Sequence, residues 1–201
     1  MRLITGDDGL ARCWWAGSDP LYVAYHDDEW GFPTTDERQV FELLALEGFQ
    51  AGLAWITILR KRDAFRAAFD GFDVDTVAAY REPDVERLLG DAGIVRHRGK
   101  IEATIRLAQL AQELAAEGTS LSELVWSFAP PPRPAPLDPE ADLPDRTAEA
   151  VALSKALKAR GAKVGGVGVR NAAGGGPTIV YAFMQSAGLV DDHLAGCHRA
   201  V

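Results

Sequence analysis

The two cysteines of this chain lie at opposite ends, Cys13 and Cys197, and each has a histidine within reach in sequence, His26 and His193. Thiolate and imidazole are the ligands zinc prefers, and four of them close a structural tetrahedral site. A metal held by this set would clip the first and last segments together, closing a very long loop as a crosslink does. The spacing His193-x-x-x-Cys197 would place two ligands on one face of a helical turn, with His198 competing with Cys197 by position. On spacing alone the alternative stays equally open: a buried cysteine and unrelated surface histidines.

The opening stretch, MRLITGDDGLARCWW, has no basic segment followed by an apolar one, and no apolar run is long enough to span a bilayer. The expectation is a cytoplasmic, soluble protein with no membrane partner, whose thiols are free or metal-bound rather than disulfide-linked. A chain of 201 residues that is 47% hydrophobic can bury one core or two small lobes sharing a core. The net charge of −8 argues mildly against affinity built on phosphate contacts. Local cationic clusters occur at 60–62, at 96–100 and at Lys155, Lys158 and Arg160; each alone reads best as a solvated helix face.

Apolar periodicity predicts an all-α fold without strands or internal repeats. Thr34 to Glu37 fits a capping box opening a helix on which Val40, Leu43, Leu44 and Glu47 share a face. Gly48 and Gly52 bracket a break before a second helix carrying Trp55, Ile58 and Leu59. Further helices are expected over 63–69, 74–80, 83–89, from Ile101 to Gly118, 121–128, 147–160, 178–188 and 191–198. Residues 1–11 read as a flexible extension and 12–201 as one domain. Within it, 129–145 is a proline-rich surface strap and 161–177 a glycine-rich loop.

Three features bear on chemistry besides the Cys/His set. Glu47 ends an apolar stripe; a carboxylate buried there costs several kcal/mol unless paired. On pattern alone, a glutamate curling to solvent at a helix end is the better reading, although buried acids also mark catalytic and base-recognition sites. Trp14, Trp15, Tyr22, Tyr25 and Trp30 crowd a segment with little helical periodicity, which with Trp55 suits a pocket for flat rings. A nucleobase drawn out of DNA would stack there, and a cationic one would gain further from cation–π attraction. Finally, residues 88–101 read as two helices flanking a glycine turn at Gly93, with Arg96, Arg98 and Lys100 following. The second helix's N-terminus would offer free N–H groups to a phosphate.

The runs RCWW (12–15), DPLYVAYHD (19–27), EWG (29–31), LEGFQAGLAWIT (46–57), DAGIVRHRGKI (91–101), VWSF (125–128), LSKALK (153–158), FMQ (183–185), GLV (188–190) and Asp192-His193 keep the order found in one family. Together they resemble the type I 3-methyladenine DNA glycosylases of the helix-hairpin-helix superfamily, over about residues 12–198. The resemblance implies one structural zinc per chain on Cys13, His26, His193 and Cys197. It implies a base pocket of Tyr22, Tyr25 and Trp55, with Trp15 and Trp30 lining it and Glu47 hydrogen-bonding the damaged adenine as the catalytic candidate. Gly52-Leu53 would plug the gap left in the duplex, and Gly93, Arg96, Arg98 and Lys100 would contact DNA.

By the same likeness the partner is double-stranded DNA carrying alkylated bases, and the protein is a monomer. The activity implied is monofunctional removal of 3-methyladenine, leaving an abasic site, with no lysine nucleophile. The rival reading is a zinc-stabilised module that binds alkylated DNA without cutting it. Two departures stand out: Trp14, where the family has a small residue, and residues 160–171, which lack the family's aromatics there.

Overall fold

The computed structural model describes residues 2–141, 143–164 and 175–200. It is built largely from helices: α1 (Pro20–Asp28), α2 (Glu37–Gln50), α3 (Trp55–Leu59), α4 (Arg62–Ala68), α5 (Val74–Ala78), α6 (Glu82–Gly90), α7 (Arg98–Ala116), α8 (Leu121–Trp126), α9 (Ala148–Ala159) and α10 (Gly175–Ser186). Among the described residues no helix is long and apolar enough to cross a membrane.

The fold is organised around α2. Val40, Phe41, Leu44, Leu46 and Phe49 are fully buried, so this helix is apolar around most of its circumference. It packs against α3, α7, α8 and α10. Its start differs from the expected capping box. Asp36, not Thr34, is the N-cap, accepting from the Gln39 N–H at 2.9 Å. The Glu37 carboxylate reaches away instead and accepts from the N–H groups of Leu121 and Ser122 at the start of α8. A carboxylate satisfies orphan donors of a neighbouring helix as well as those of its own. Gly48 lies inside α2 rather than at a break; the chain turns only at Ala51, where Gly52 has φ +84°, the left-handed region open to glycine.

Three other expectations change. Residues 2–13 are not an unstructured extension: β1 (Leu3–Thr5) and β2 (Ala11–Cys13) pair antiparallel, with Leu3 opposite Cys13. Strands of three residues are too short to print an alternating pattern, and packing holds this hairpin in place. Arg12 is buried and bonds both Asp8 and Asp27, and Leu3 packs on the cluster of Cys13, Leu194 and Cys197. The aromatic segment after it contains α1, begun by Pro20 in the first turn and capped by the Asp19 side chain. Residues 191–198 are turns rather than a helix. Their backbone is used elsewhere: Ala195 N–H donates to Leu137 O at 2.8 Å and His198 N–H to Ala11 O at 2.8 Å. The proline-rich strap is thereby tied down, with Leu137 bridged to Leu194 and Arg133 paired to buried Asp192. Most of the expected glycine-rich loop, 165–174, lies outside the described residues, and Gly175 to Pro177 already belong to α10.

Candidate functional site

Beside the α2 C-terminus is a cavity of about 270 Å³, close to the small end of ligand pockets (roughly 300–1,000 Å³). Trp15, Tyr22, Tyr25, Trp30, Glu47, Gln50, Trp55 and Ser186 line it, with Trp14 and the strap residues Leu137, Leu143 and Pro144 also on its wall. The rings meet edge to face or tilted: Trp15 lies 4.8 Å from Trp30 and 5.2 Å from Tyr22, and Tyr25 lies 5.5 Å from Trp55. Such contacts among flat rings hold a slot open while keeping it apolar. Every aromatic expected in the pocket is there; Trp14 sits at the edge, 43% exposed.

Glu47 settles against solvent: it is 3% exposed and lies on the cavity wall. Its Oε1 accepts the Ser186 hydroxyl at 2.8 Å, and Ser186 Oγ in turn accepts the Tyr25 hydroxyl at 3.1 Å. Its Oε2 has no partner. Nor, on the same cavity wall, do Gln50 Oε1 and the Trp55 indole N–H. Buried polar groups are normally satisfied, so three unpartnered atoms on residues that line one slot are candidates to meet a ligand's polar edge. Burial pushes the Glu47 carboxyl up to about 8, with the Ser186 hydrogen bond acting against it. Burial and then the Glu47 charge raise Tyr25 well above the usual phenol range and bring Tyr22 to about 12, so both hydroxyls are neutral donors.

One aromatic layer away lies the Cys/His cluster. The ligand atoms of Cys13, His26 and Cys197 are within 4.8 Å of one another, all buried. His26 Nδ1 is 2.7 Å from Asp27, leaving Nε2 toward the thiols, and Cys197 Sγ is 3.5 Å from that Nε2. His193 is oriented in the same manner, Nδ1 to Asp191 at 2.7 Å, while its buried Nε2 has no partner. Its ring is 5.0 Å from that of His26. Amide N–H groups of Leu194 and Arg199 point at the two sulfurs. The hydrogen bond from the Cys13 thiol, and then His26, bring the Cys197 thiol down toward ionisation, while Cys13 is held up by the same pairing. Cys13, His26 and Cys197 thus form a possible metal-binding group of carboxylate-oriented imidazole and thiols, while the His193 ligand atom is not among those within 4.8 Å of one another. His198 is not among them; it bonds Asp27 at 2.9 Å.

Residues 15–200 match the family model described as methyladenine glycosylase. The chain belongs to that family. It is 48% identical over 189 residues to DNA-3-methyladenine glycosylase 1 of Escherichia coli (strain K12), covering 94% of this chain and 96% of the relative. Among solved structures, a 3-methyladenine DNA glycosylase I at 48% identity matches with a TM-score of 0.85, over 94% of this chain and 98% of that one. A variant of 3-methyladenine DNA glycosylase I in complex with 3-methyladenine, 36% identical, matches with a TM-score of 0.82, over 93% and 96%. In this family member Trp14 and the hairpin before it fall outside the matched stretch, and both border the cluster or the cavity.

The residues expected to face DNA divide. Gly52 and Leu53 are exposed on the turn after α2, Leu53 at 40%. The α6–α7 turn is held by Asp91 accepting from Gly93 N–H at 2.7 Å and by Lys61 Nζ donating to the carbonyls of Ala92 and Gly93. Gly93 packs closely: a Cβ there would come within 3.0 Å of Ala64 Cβ. Arg96 is exposed and, among the described residues, has no ion-pair partner. Arg98 is instead ringed by Glu82, Glu86 and Glu102. Lys100 is buried, its Nζ donating to the carbonyls of Phe49 and Ala51 at 2.8 Å each. It cannot also meet a phosphate, which corrects its expected role. Ser186 and Gln50 were missed in the sequence. A serine within the apolar FMQSAGL run, near the end of α10, was the one available signal for Ser186.

Proposed function

We propose that this chain is a monofunctional DNA glycosylase that hydrolyses the N-glycosidic bond of 3-methyladenine in alkylated duplex DNA, releasing the free base and leaving an abasic site. The observation that carries this is the set of three unpartnered buried polar atoms, Glu47 Oε2, Gln50 Oε1 and Trp55 Nε1, on residues that line one aromatic slot. Two acceptors suit the exocyclic amine and the positive charge of an N3-methylated adenine. The surrounding rings suit its faces.

In the empty slot Glu47 is largely protonated at neutral pH, since its carboxyl titrates near 8. A cationic base entering the slot stabilises the carboxylate, so lesion binding releases a proton. Ordinary adenine brings no charge and leaves Glu47 neutral, which discriminates against it. Bond cleavage then needs no acid. The electron pair of the glycosidic bond moves onto the positively charged base, which departs neutral. Water adds to the oxocarbenium-like sugar carbon, and its proton goes to solvent. Glu47 stabilises the extruded cation, Ser186 and Tyr25 hold Glu47, and the stacked rings exclude bulk water.

Leu53 on the Gly52 turn would fill the space the base vacates, and the α6–α7 turn with Arg96 would bear on the phosphate backbone as a helix-hairpin-helix. Cys13, His26, His193 and Cys197 would hold zinc, which when bound supplies a crosslink between the chain ends and takes no part in the reaction. We take the protein to act as a monomer. Single-turnover release of 3-methyladenine from methylated duplex, measured beside binding to plain duplex, tests the proposal. Tight lesion binding with no base released would replace it with a non-enzymatic binder.

A further inference from the structure

Lys100 is the one cation of the 96–100 cluster whose charge is turned wholly inward. It stands in the first turn of α7, three residues past His97, the last residue of the α6–α7 turn. Its ammonium is carried beneath the end of α2, where the chain turns toward Leu53. The final carbonyls of a helix have no intrahelical partner, and a cation is favoured at that end of the helix dipole. Phe49 O and Ala51 O are two such carbonyls, and both accept from the same nitrogen. The residue between them, Gln50, lines the cavity, and its carbonyl accepts the Leu53 N–H at 2.6 Å to close the turn. Gly52 and Leu53 are otherwise exposed, and Ala54 has no side-chain cap bond for α3. Of residues 51–54, only Ala51 is buried.

We infer that Lys100 is a positioning residue: it pins the Gln50–Leu53 turn and so links the backbone-facing α6–α7 turn to the segment that displaces the base. The inference deepens the proposed glycosylase reading and rests on it for its kinetic consequence. Without the ammonium, Leu53 loses its fixed height above the pocket and Gln50 its aim into it, while the surface presented to phosphates stays the same.

The test uses Lys100→Met, which keeps an unbranched side chain and removes the charge. Hydrogen exchange at the Gly52 and Leu53 amides should quicken by about ten-fold or more, with protection in the middle of α7 unchanged. Base release in single turnover should fall by about ten-fold or more. The salt slope of binding to plain duplex should stay as in the unsubstituted protein, whereas losing a phosphate contact shrinks it by about one unit. Placing the lesion in a bulge, where it is already unstacked, should restore much of the lost rate, which a merely damaged fold would not. A salt slope lowered by about one unit, or unchanged exchange at residues 52 and 53, overturns the inference.

Should Lys100→Met not fold, reductive methylation of the unsubstituted protein decides. A buried clamp reacts slowly with or without DNA; a lysine that reacts readily and is protected by DNA overturns the assignment. If the unsubstituted protein releases no base, the glycosylase reading fails, while exchange and methylation still judge Lys100.

Discussion

Two buried polar clusters share one aromatic wall and differ in how they are completed. At the chain ends, Cys13, His26 and Cys197 face one another, and their outer atoms are satisfied by Asp27 and backbone amides; a single nitrogen, His193 Nε2, is left over. Along the cavity, Glu47, Gln50 and Trp55 do not satisfy one another, and each carries one unmet buried polar atom. Trp15 touches both, lying 5.1 Å from His26 and 4.8 Å from Trp30. A polar cluster that closes on itself holds structure together. One that stays open at a stability cost is kept for something that comes and goes.

The sharpest way to break this contrast is at the closed cluster. Cys197→Ala should abolish stoichiometric metal, about one zinc per chain by elemental analysis in the unsubstituted protein, and lower stability by several kcal/mol in thermal melts, on the order expected for loss of a structural metal or crosslink. Freshly purified protein without metal would leave the two clusters alike.

Next is Glu47→Gln at the open cluster. Excision of 3-methyladenine should fall by about ten- to a thousand-fold, as a charge-assisted hydrogen bond contributes roughly 1.5–3 kcal/mol and positioning suffers as well. Binding to undamaged duplex should hardly move. Stability should respond in the opposite sense. Between the ordinary glutamate value of 4.5 and about 8, the folded protein holds a proton on Glu47 that the unfolded chain has lost, so stability declines as pH rises through that window. Glu47→Gln removes this slope and should melt higher than the unsubstituted protein at pH 8, with the advantage gone below pH 4.5. Melting curves at the two pH values that run parallel would mean that Glu47 is not the strained group.

Ser186→Ala should have a smaller effect, about ten-fold or less on base release. Its hydrogen bond lowers the Glu47 titration, so losing it should move the pH dependence of base release upward. An unmoved profile would remove Ser186 from the network. The smallest effect is expected for Arg98→Ala. With Glu82, Glu86 and Glu102 already neutralising that side chain, the salt slope of DNA binding should change by well under one unit, less than for Arg96→Ala.

What could be read from the sequence followed chemistry that depends on residue type. Cysteine, histidine and clustered tryptophan are scarce and have few roles, so Cys13, His26, His193, Cys197 and the ring set could be named before any fold was seen. Charge was less legible. Arg98 and Lys100 carry the same sign and neighbour the same turn as Arg96, yet one is quenched by acids from α6 and the other donates into α2. Local spacing encodes only the Arg98–Glu102 pair; Glu82 and Glu86 lie on another helix, and the Lys100 acceptors lie about fifty residues back. The hairpin at residues 3–13 and the turn at 191–198 were misjudged for a related reason. Each is held by contacts across the length of the chain, Leu3 against the Cys13, Leu194 and Cys197 cluster and His198 against Ala11, and not by its own propensity.

Those end-to-end contacts bear on when the molecule becomes competent. Trp15 and Trp30 emerge early from the ribosome, but the ring packed against Trp30 at 4.7 Å is His193, and the hydroxyl holding Glu47 belongs to Ser186. Synthesis runs from the N-terminus, so nearly the whole chain must be made before the slot has its back wall. A truncated or still-growing polypeptide thus carries the tryptophans and tyrosines without the assembled pocket.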